Sequence, residues 1–339
     1  MPNDEMVLIT GANGEIGHGL IEHLHTGPRT RIIATDIQPL DSDLKSRCET
    51  FHQGDITDPD LIGRLGRNLS FTTIFHLASI LSTKGERDPE LAHHVNVDGT
   101  LHLLRLAAEQ SRRDGRPVRF IYPSSIAVYG LPDVDAKARH GRVVREAEWC
   151  SPITMYGVNK LTCEHLGRYY AQHYRSLEPA TTRVDFRALR FPGLISALTV
   201  PTGGTSDYGP EMLHHAAQAK PYACFVRPDS QLPFMVMPDA IQALLLLEAV
   251  PHERLTQLVY NVTSYSPTAA EIQQMILRSF PSAQVTFAPD ERRQAIVDSW
   301  PADIDDSAAR RDWLWKPEYD FRRSFEEYLI PSVCRRYAK

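Results

Sequence analysis

The chain has 339 residues, 42% of them hydrophobic and 23% charged, a composition that is ordinary for a globular protein with a sizeable core. A formal charge of -5 disfavours nucleic acid or an anionic membrane as a partner, so we expect a small-molecule partner. The five cysteines are odd in number and irregularly spaced, which predicts neither a disulfide framework nor a thiolate zinc site. Because there is neither a signal-peptide pattern nor an apolar run of ~20 residues, we expect a soluble, cytoplasmic protein.

A glycine-rich turn lies close to the start of the chain. Residues 6–10 form an apolar run that predicts a buried strand, and Gly11, Gly14 and Gly17 follow it and lead into a helix. Gly11 would allow a tight turn, Gly14 a close approach of the backbone to a pyrophosphate, and Gly17 close packing of the helix on the strand. The placement therefore predicts a dinucleotide-binding loop at a helix N-terminus.

A carboxylate ends the next predicted strand. Residues 31–35 form a second apolar run, and Asp36 follows it, nineteen residues after Gly17. A carboxylate at this place can accept hydrogen bonds from an adenosine ribose and repel a 2′-phosphate. This favours NAD over NADP, and Asp55, after a third predicted strand, is a weaker candidate for contact with the adenine.

Strands and helices alternate through the rest of the first half. Residues 73–78 and 119–122 predict strands, and helical periodicity lies between them at 96–108. This alternation predicts an α/β fold with a parallel, doubly wound sheet. In such a sheet ligands bind at the carboxyl ends of the strands, where Ser125 follows the fifth predicted strand.

A tyrosine and a lysine lie four residues apart at the head of a further predicted helix. Tyr156 and Lys160 would share one face of that helix. A phenol with a pKa of about 10 is a poor base at neutral pH, and a neighbouring ammonium in a partly dry site favours its ionised form. The pair is therefore suited to moving a proton on or off a hydroxyl group.

Together these motifs resemble those of the extended short-chain dehydrogenase/reductase family. In the family's order they are Gly11-x-x-Gly14-x-x-Gly17, Asp36, Asp55-Ile56, His76-Leu-Ala-Ser79, Asn96, Ser124-Ser125 and Tyr156-x-x-x-Lys160. The resemblance implies a Rossmann-type domain that binds NAD, with Ser125, Tyr156 and Lys160 as the catalytic residues. It implies cofactor contacts from Gly11, Asn13, Gly14, Glu15, Ile16, Gly17, Asp36, Asp55, Ile56, Leu77, Ala78, Asn96, Tyr156, Lys160 and Leu194.

Four stretches of the second half are similar to the members of this family that oxidise L-threonine. They are Arg190-Phe-Pro-Gly-Leu-Ile-Ser196, Gly203-Gly-Thr-Ser-Asp-Tyr208, Gln294-Ala-Ile-Val-Asp-Ser-Trp-Pro301 and Asp305-Asp-Ser-Ala-Ala-Arg310. The similarity implies oxidation of L-threonine at C3 to 2-amino-3-oxobutanoate, with Tyr156 as the general base. Substrate contacts are expected from Leu81, Ser82, Ser125, Tyr156, Gly204 and Thr205.

The expected organisation is an NAD-binding domain over residues 1–190 and about 235–262, with a smaller C-terminal substrate domain over 191–234 and 263–339. The charged stretch 131–150 and the stretch 175–182 are predicted to be surface insertions without chemistry. A homodimer is expected through the helices around 96–108 and 156–173. Because it contains glycine, the loop 201–208 is expected to close over the substrate.

Other functions share parts of this pattern. A nucleotide-sugar epimerase or dehydratase uses the same scaffold and the same three catalytic residues, but its second domain must hold a nucleotide diphosphate. A non-catalytic NAD-sensing protein would have no need to keep Ser125, Tyr156 and Lys160 together. The adjacent histidines at 93–94 and at 214–215 would point apart, so we expect no metal site.

Overall fold

The computed structural model describes residues 5–27, 30–139, 143–178, 182–201 and 204–338. Its strands are β1 Glu5–Thr10, β2 Thr30–Asp36, β3 Thr50–Gln53, β4 Thr73–His76, β5 Arg119–Ser125, β6 Val143–Val144, β7 Asp185–Phe191, β8 Gly193–Ile195, β9 Tyr222–Cys224, β10 Phe234–Val236, β11 Val259–Asn261, β12 Val285–Phe287 and β13 Asp303–Ile304.

The α-helices alternate with the strands in the first half and cluster in the second. They are α1 Glu15–Leu24, α2 Ser42–Ser46, α3 Pro59–Asn68, α4 Ser82–Arg87, α5 Pro89–His93, α6 Gly99–Asp114, α7 Val134–Arg139, α8 Met155–Gln172, α9 Tyr208–Ala217, α10 Met237–Ala249, α11 Ala269–Ser279, α12 Glu291–Ser299, α13 Ser307–Trp313, α14 Phe321–Arg323 and α15 Ile330–Tyr337. Short 3-10 turns span Ile126–Val128 and His252–Arg254, and π-helical turns span His94–Asp98 and Ser324–Leu329.

The central sheet has the strand order β11-β7-β5-β4-β1-β2-β3 within the described part of the chain. Strand β1 pairs in parallel with both β2 and β4, and β2–β3 and β4–β5 are parallel as well. The chain order therefore reverses between β1 and β4, and the carboxyl ends of these two strands lie side by side. Such a switch point is where open α/β sheets bind ligands. The predicted doubly wound α/β fold is confirmed.

Within these ranges the chain divides into two compact units. The first comprises Met1–Ser124, Val158–Leu189 and Leu244–Val259, and it contains most of the central sheet. Apolar side chains from both sides of the sheet build its core, with the rings of Phe120 and Phe186 stacked 6.0 Å apart. Burying one such ring stabilises the fold by roughly 1.5–3 kcal/mol, which explains why the strands are nearly continuous apolar runs.

The second unit comprises Ser125–Gly157, Arg190–Ala243 and Tyr260–Lys339. It contains three small parallel pairs of strands, β8–β10, β9–β12 and β6–β13, among the described residues. The functional division predicted from the sequence, NAD binding in one domain and substrate binding in the other, stays a prediction.

The stretch 131–150, predicted to be a surface insertion, is exposed at many of its described residues but also contributes to the packing of the second unit. Leu131 and Val144 are buried in the second unit, and β6 pairs with β13. Glu146 accepts a hydrogen bond from the backbone of Asn261 through its side chain and one from buried Arg190 through its carbonyl. This packing could not be predicted from the sequence, because the stretch is rich in charged residues and has no periodic apolar pattern. Many of its contacts to the rest of the second unit are made by backbone groups and by ion-pairing side chains. In the stretch 175–182, residues 179–181 lie outside the described residues.

Within the described ranges, no helix combines the length and the apolar character needed to cross a membrane. The five cysteines are free thiols, and burial raises the pKa of Cys48 and of Cys224 to about 11. Desolvation disfavours the thiolate, so neither of these two is a reactive nucleophile at neutral pH.

Candidate active site

The turn after β1 requires glycine at two positions. Gly11 has a φ of +68°, and a Cβ there would lie 2.6 Å from the backbone nitrogen of Ala78. A Cβ on Gly17 would lie 2.5 Å from the carbonyl oxygen of Ala12. The first glycine therefore lets the β1 turn approach the end of β4, and the second lets α1 pack against the turn. The positive φ of Gly11 fits the tight turn expected from the sequence, whereas the close approaches to Ala78 and Ala12 are details that the sequence analysis did not give.

The N-terminus of α1 has the form of an anion site. Gly14 is its N-cap residue, and no side chain caps the helix there. Gly14 is exposed, and a Cβ there would meet only the carbonyl oxygen of Gly11, at 3.3 Å. The neighbouring Asn13, Glu15 and Ile16 are partly exposed around it. The helix dipole and the N–H groups of the first helical turn fit the pyrophosphate of a dinucleotide.

Asp36 is fixed at the end of β2 by two backbone hydrogen bonds. One carboxylate oxygen accepts from the N–H of Asn13 at 2.9 Å, and the other from the N–H of Gln38 at 2.8 Å. The carboxylate thus joins the second strand to the glycine turn. Since each oxygen retains a free lone pair and the side chain is partly exposed, Asp36 can still accept bonds from ribose hydroxyls. This geometry fits NAD.

Three other predicted cofactor residues, Asp55, Ile56 and Leu77, make contacts with nearby segments of the first unit. The carboxylate of exposed Asp55 accepts from the N–H and hydroxyl of Thr57. Ile56 is buried, and a Cβ on Gly99 would lie 2.5 Å from its Cδ1, so Ile56 packs under α6. Leu77 donates its N–H to Thr10 and extends β4 by one step.

Asn96 holds the loop that follows β4. Its Oδ1 accepts from the N–H of Ile80 at 2.7 Å, and its Nδ2 donates to the carbonyl of Ile80 at 3.0 Å. Both bonds are made from a buried π-helical turn, a feature that is frequent at functional sites. Leu81 and Ser82 come next, at the N-terminus of α4: the Leu81 side chain is 56% exposed and Ser82 is buried. The predicted substrate residues of this loop are therefore placed by Asn96.

A hydrogen-bonded chain that the sequence did not reveal lies beneath the switch point. The ring of buried His76 contacts the hydroxyl of Thr10 at 2.8 Å and that of Thr100 at 2.9 Å. Burial, with a smaller contribution from the charge of Lys160, lowers the pKa of His76 to about 3. The ring is neutral at physiological pH, so it orients hydroxyl groups and does not carry charge.

Ser125 and Tyr156 are hydrogen-bonded to each other in the second unit. Ser125 ends β5 and also accepts from the N–H of Ala127 at 3.2 Å. Gly157 makes the approach possible, because a Cβ there would lie 2.0 Å from the carbonyl oxygen of Ala127. Burial raises the pKa of Tyr156 above its ordinary value, and the hydrogen bond from Ser125 opposes this by stabilising the phenolate. The small residue after the tyrosine was the available sequence signal for Gly157.

Lys160 lies one turn further along α8. Its ammonium donates to the carbonyl oxygen of Pro123 at 2.7 Å and lies 4.6 Å from the centroid of the Tyr122 ring. Burial lowers the pKa of Lys160 to about 8, although the nearby Cys163 and Glu164 oppose this shift. The lysine is therefore a buried cation that loses its charge slightly above neutral pH.

The first serine of the Ser124-Ser125 pair has a different role from the second. Ser124 donates to the buried carboxylate of Glu164 at 2.6 Å. Together with the bond from Lys160 to Pro123, this contact fixes the end of β5 against α8 at two points. Sequence analysis missed Glu164, which lies a further helical turn after Lys160 and shares its face.

The remaining predicted residues lie in the second unit. Leu194 is in β8, where it pairs with Met235 of β10. Gly204 donates its N–H to the carboxylate of Asp207 at 2.6 Å, and Thr205 beside it is 6% exposed. Of the loop 201–208, residues 202 and 203 lie outside the described residues.

Across the described ranges, no group of three or more histidine, cysteine or acidic side chains is placed to hold a metal ion. Of the adjacent histidines 214 and 215, the first contacts the hydroxyl of Tyr337 and the second the carbonyl of Pro221. The two rings point to different partners.

A doubly wound sheet with a glycine turn at its switch point is typical of proteins that bind a dinucleotide at the carboxyl ends of the strands. A family model, the NAD dependent epimerase/dehydratase family, matches residues 7–263. The chain belongs to this family.

Individual relatives are similar over almost the whole chain. The mitochondrial L-threonine 3-dehydrogenase of Bos taurus is 35% identical over 320 residues, which are 94% of this chain and 80% of the relative. The L-threonine dehydrogenase structure from Clostridium difficile is 30% identical with a TM-score of 0.84, covering 98% of this chain and 99% of that one. A monomeric L-threonine 3-dehydrogenase from a metagenome database, in its apo form, is 33% identical with a TM-score of 0.82 over 97% and 99%. This protein is an NAD-dependent oxidoreductase.

Proposed function

We propose that the protein oxidises L-threonine at C3 to 2-amino-3-oxobutanoate with NAD. The observation that carries this proposal is the hydrogen-bonded pair Ser125–Tyr156 at the head of the helix that also carries Lys160. Two hydroxyl groups held together can bind one substrate oxygen and move its proton. The choice of L-threonine is supported by the relatives that carry this activity in their names.

Two arginines of the second unit argue against a nucleotide diphosphate as the substrate. Arg227 forms two hydrogen bonds to the carboxylate of Asp298, at 2.8 and 2.9 Å. Buried Arg190 donates to the hydroxyl of Tyr129 and to the carbonyl of Glu146. Both arginines already have protein partners, whereas a diphosphate needs cations that can form charge-assisted bonds with it.

In the proposed mechanism, Ser125 donates a hydrogen bond to the substrate hydroxyl oxygen and Tyr156, as phenolate, accepts the hydroxyl proton. Bound NAD supplies the acceptor for the hydride that leaves C3. The C–H electron pair departs with that hydride and the O–H pair becomes the second bond of the ketone, so atoms and electrons balance.

Lys160 completes the mechanism as a buried cation. Since burial raises the pKa of Tyr156 in the free protein, the phenolate requires a positive charge in its surroundings. In this proposal the ammonium of Lys160, one turn further along the same helix, would provide it. Leu81, Ser82, Gly204 and Thr205 would contact the amino acid, and Leu194 the nicotinamide end.

A spectrophotometric screen for NADH tests the proposal. Purified protein with NAD should form NADH with L-threonine, and much more slowly with L-serine, which lacks the methyl group. UDP-sugars should give neither NADH nor epimerised product. Turnover of a UDP-sugar would establish the epimerase alternative, and tight NAD binding without any turnover would establish the NAD-sensing alternative.

We also propose a homodimer formed through the helices around 96–108 and 156–173. Val158 and Tyr169 are large apolar side chains of α8 that are 41% and 48% exposed, and a partner subunit would bury them. Light scattering after size exclusion should give twice the chain mass of 38.3 kDa. A single-chain mass, as in the relative described as monomeric, would refute the dimer. A cytoplasmic location stays a proposal beside the mitochondrial bovine relative.

A further inference from the structure

The backbone of Gly204 is held from both sides. Its N–H donates to the carboxylate of Asp207 at 2.6 Å. Its carbonyl oxygen accepts from the N–H of Asp207 at 3.2 Å and from the guanidinium of Arg293 at 2.9 Å. Asp207 is the N-cap residue of α9, but its side chain does not cap that helix, because the carboxylate turns back to Gly204. Thr205 follows directly and is buried.

Arg293 is itself held in one position. It lies in the first turn of α12, where its N–H is capped by the carboxylate of Asp290 at 2.9 Å. Its guanidinium carbon lies 3.1 Å from the centroid of the Phe225 ring, a stacked arrangement that fixes the plane of the group. The carbonyl oxygen of Phe225 in turn accepts from the N–H of Asp290 at 2.9 Å. Ring and helix therefore form one rigid support.

The same ring supports the far end of the loop. The side chain of Tyr208, the first residue of α9, packs edge-on against Phe225 with 6.0 Å between the ring centroids. Residues 204 to 208 are thus fixed to Phe225 at both ends, through Arg293 at the start and through Tyr208 at the finish. These contacts restrict the conformations that the loop can adopt before a ligand binds.

We propose that Arg293 is a positioning residue that holds Gly204 and Thr205 in the conformation that binds the amino-acid substrate. This inference rests on the proposed function, since Thr205 is a substrate residue only under that proposal. Arg293 acts through the loop and not on the reacting atoms. Its loss would make the substrate order the loop on binding, which weakens substrate affinity and leaves the chemical step nearly unchanged.

Arg293→Gln tests the proposal, and Arg292→Gln is the matched control, because Arg292 is the exposed neighbour on the same helix turn. In Arg293→Gln we expect KM for L-threonine to rise about tenfold, the size of one lost hydrogen bond to a charged group, with kcat within about threefold and KM for NAD unchanged. Arg293→Lys keeps the charge but not the planar group over the Phe225 ring, so its KM for L-threonine should lie between those of the wild type and Arg293→Gln. A fall in kcat with unchanged KM would overturn the proposal, since it would indicate only a smaller folded fraction.

Hydrogen–deuterium exchange provides a readout that does not depend on turnover. Peptides covering residues 204–208 should exchange faster in Arg293→Gln than in the wild type, and at the wild-type rate in Arg292→Gln. Unchanged exchange in Arg293→Gln would show that Arg293 does not hold the loop, even if activity fell. If the wild type did not oxidise L-threonine, the proposed function would fail, and the exchange comparison would still decide whether Arg293 orders the loop.

Discussion

Two glycine-containing loops that each lead into a helix are built in different ways. The turn at 11–17 is shaped by backbone: Gly11 and Gly17 leave no room for a Cβ, and the approaching groups are the backbone of Ala78 and Ala12. The loop at 204–207 is shaped by side chains, those of Asp207 and of Arg293, which lies 89 residues away. The backbone-built turn tolerates no added atom, whereas the side-chain-built loop can be weakened in steps by changing one side chain at a time. Both depend on distant residues, since Ala78 lies 67 residues after Gly11 and Arg293 lies 89 residues after Gly204.

Removal of the Tyr156 hydroxyl should have the largest effect. This part of the site is built from side chains, so Tyr156→Phe should lower kcat by about 10²–10⁴, the range for a lost general base. NAD affinity should fall far less, because Tyr156 is only one of many predicted cofactor contacts. Steady-state kinetics and calorimetric NAD titration measure the two quantities. Tyr169→Phe, on the exposed side of the same helix, is the control and should keep the wild-type rate. A Tyr156→Phe enzyme with most of its rate would remove Tyr156 from the role of base.

Gly11→Ala should break the backbone-built loop. It combines a left-handed φ with a clash against the backbone of Ala78, so we expect a loss of about 3 kcal/mol or more in the free energy of unfolding and weaker NAD binding. Gly115→Ala is the matched control, because Gly115 has a φ of +66° with no atom near its absent Cβ. It should lose only about 1–2 kcal/mol. Equal losses in urea unfolding would contradict the role of close approach at Gly11.

Asp36 combines the two kinds of loop, because its side-chain carboxylate accepts hydrogen bonds from backbone N–H groups. Asp36→Asn removes the charge but keeps an acceptor, so the ratio of kcat/KM for NADP to that for NAD should rise about tenfold, equivalent to about 1.4 kcal/mol. Asp36→Ala also removes the bond to Asn13 and should weaken binding of both cofactors in addition. If both variants kept the wild-type ratio, cofactor choice would be made elsewhere.

A smaller effect is expected in the pH dependence of kcat/KM, which is set by the side chains of Tyr156 and Lys160 and not by the backbone-built turn. Burial raises the pKa of Tyr156, so the phenolate fraction grows tenfold per unit as pH rises through the neutral range. Lys160, with a pKa of about 8, loses its charge above that pH, which removes the support for the phenolate. The logarithm of kcat/KM should therefore rise up to about pH 8 and flatten beyond it, because this parameter reports groups of the free enzyme.

Lys160→Arg supplies the check on that assignment, since a guanidinium keeps its charge throughout this range. The break near pH 8 should disappear in the variant, whatever its absolute rate, and the substrate's own ammonium titrates identically in both enzymes. A break at the same pH in both enzymes would assign it to another group.

The same contrast explains what could be predicted from the sequence. The strand–glycine–helix start and the α8 pair were visible because each is a pattern of residues a few positions or one helical turn apart. Asp36 was visible because it directly follows the second predicted strand, although its partner Asn13 lies 23 residues away. The partners of Ser124 and of Gly204 were not visible, because Glu164 and Arg293 lie 40 and 89 residues away. The packing of residues 131–150 was not predicted for a related reason. Their charge suggested solvent exposure, yet buried Val144 and the backbone of Glu146 join them to the rest of the second unit.

The most direct test of the proposed reaction follows one hydrogen atom. L-threonine carrying deuterium at C3 is incubated with the protein and NAD, and the reduced cofactor is analysed by mass spectrometry. Hydride transfer from C3 predicts that the deuterium appears in the reduced nicotinamide, with 2-amino-3-oxobutanoate or its decarboxylation product formed in equal amount. Reduced cofactor without deuterium, or deuterium lost to water without cofactor reduction, would contradict the proposed function.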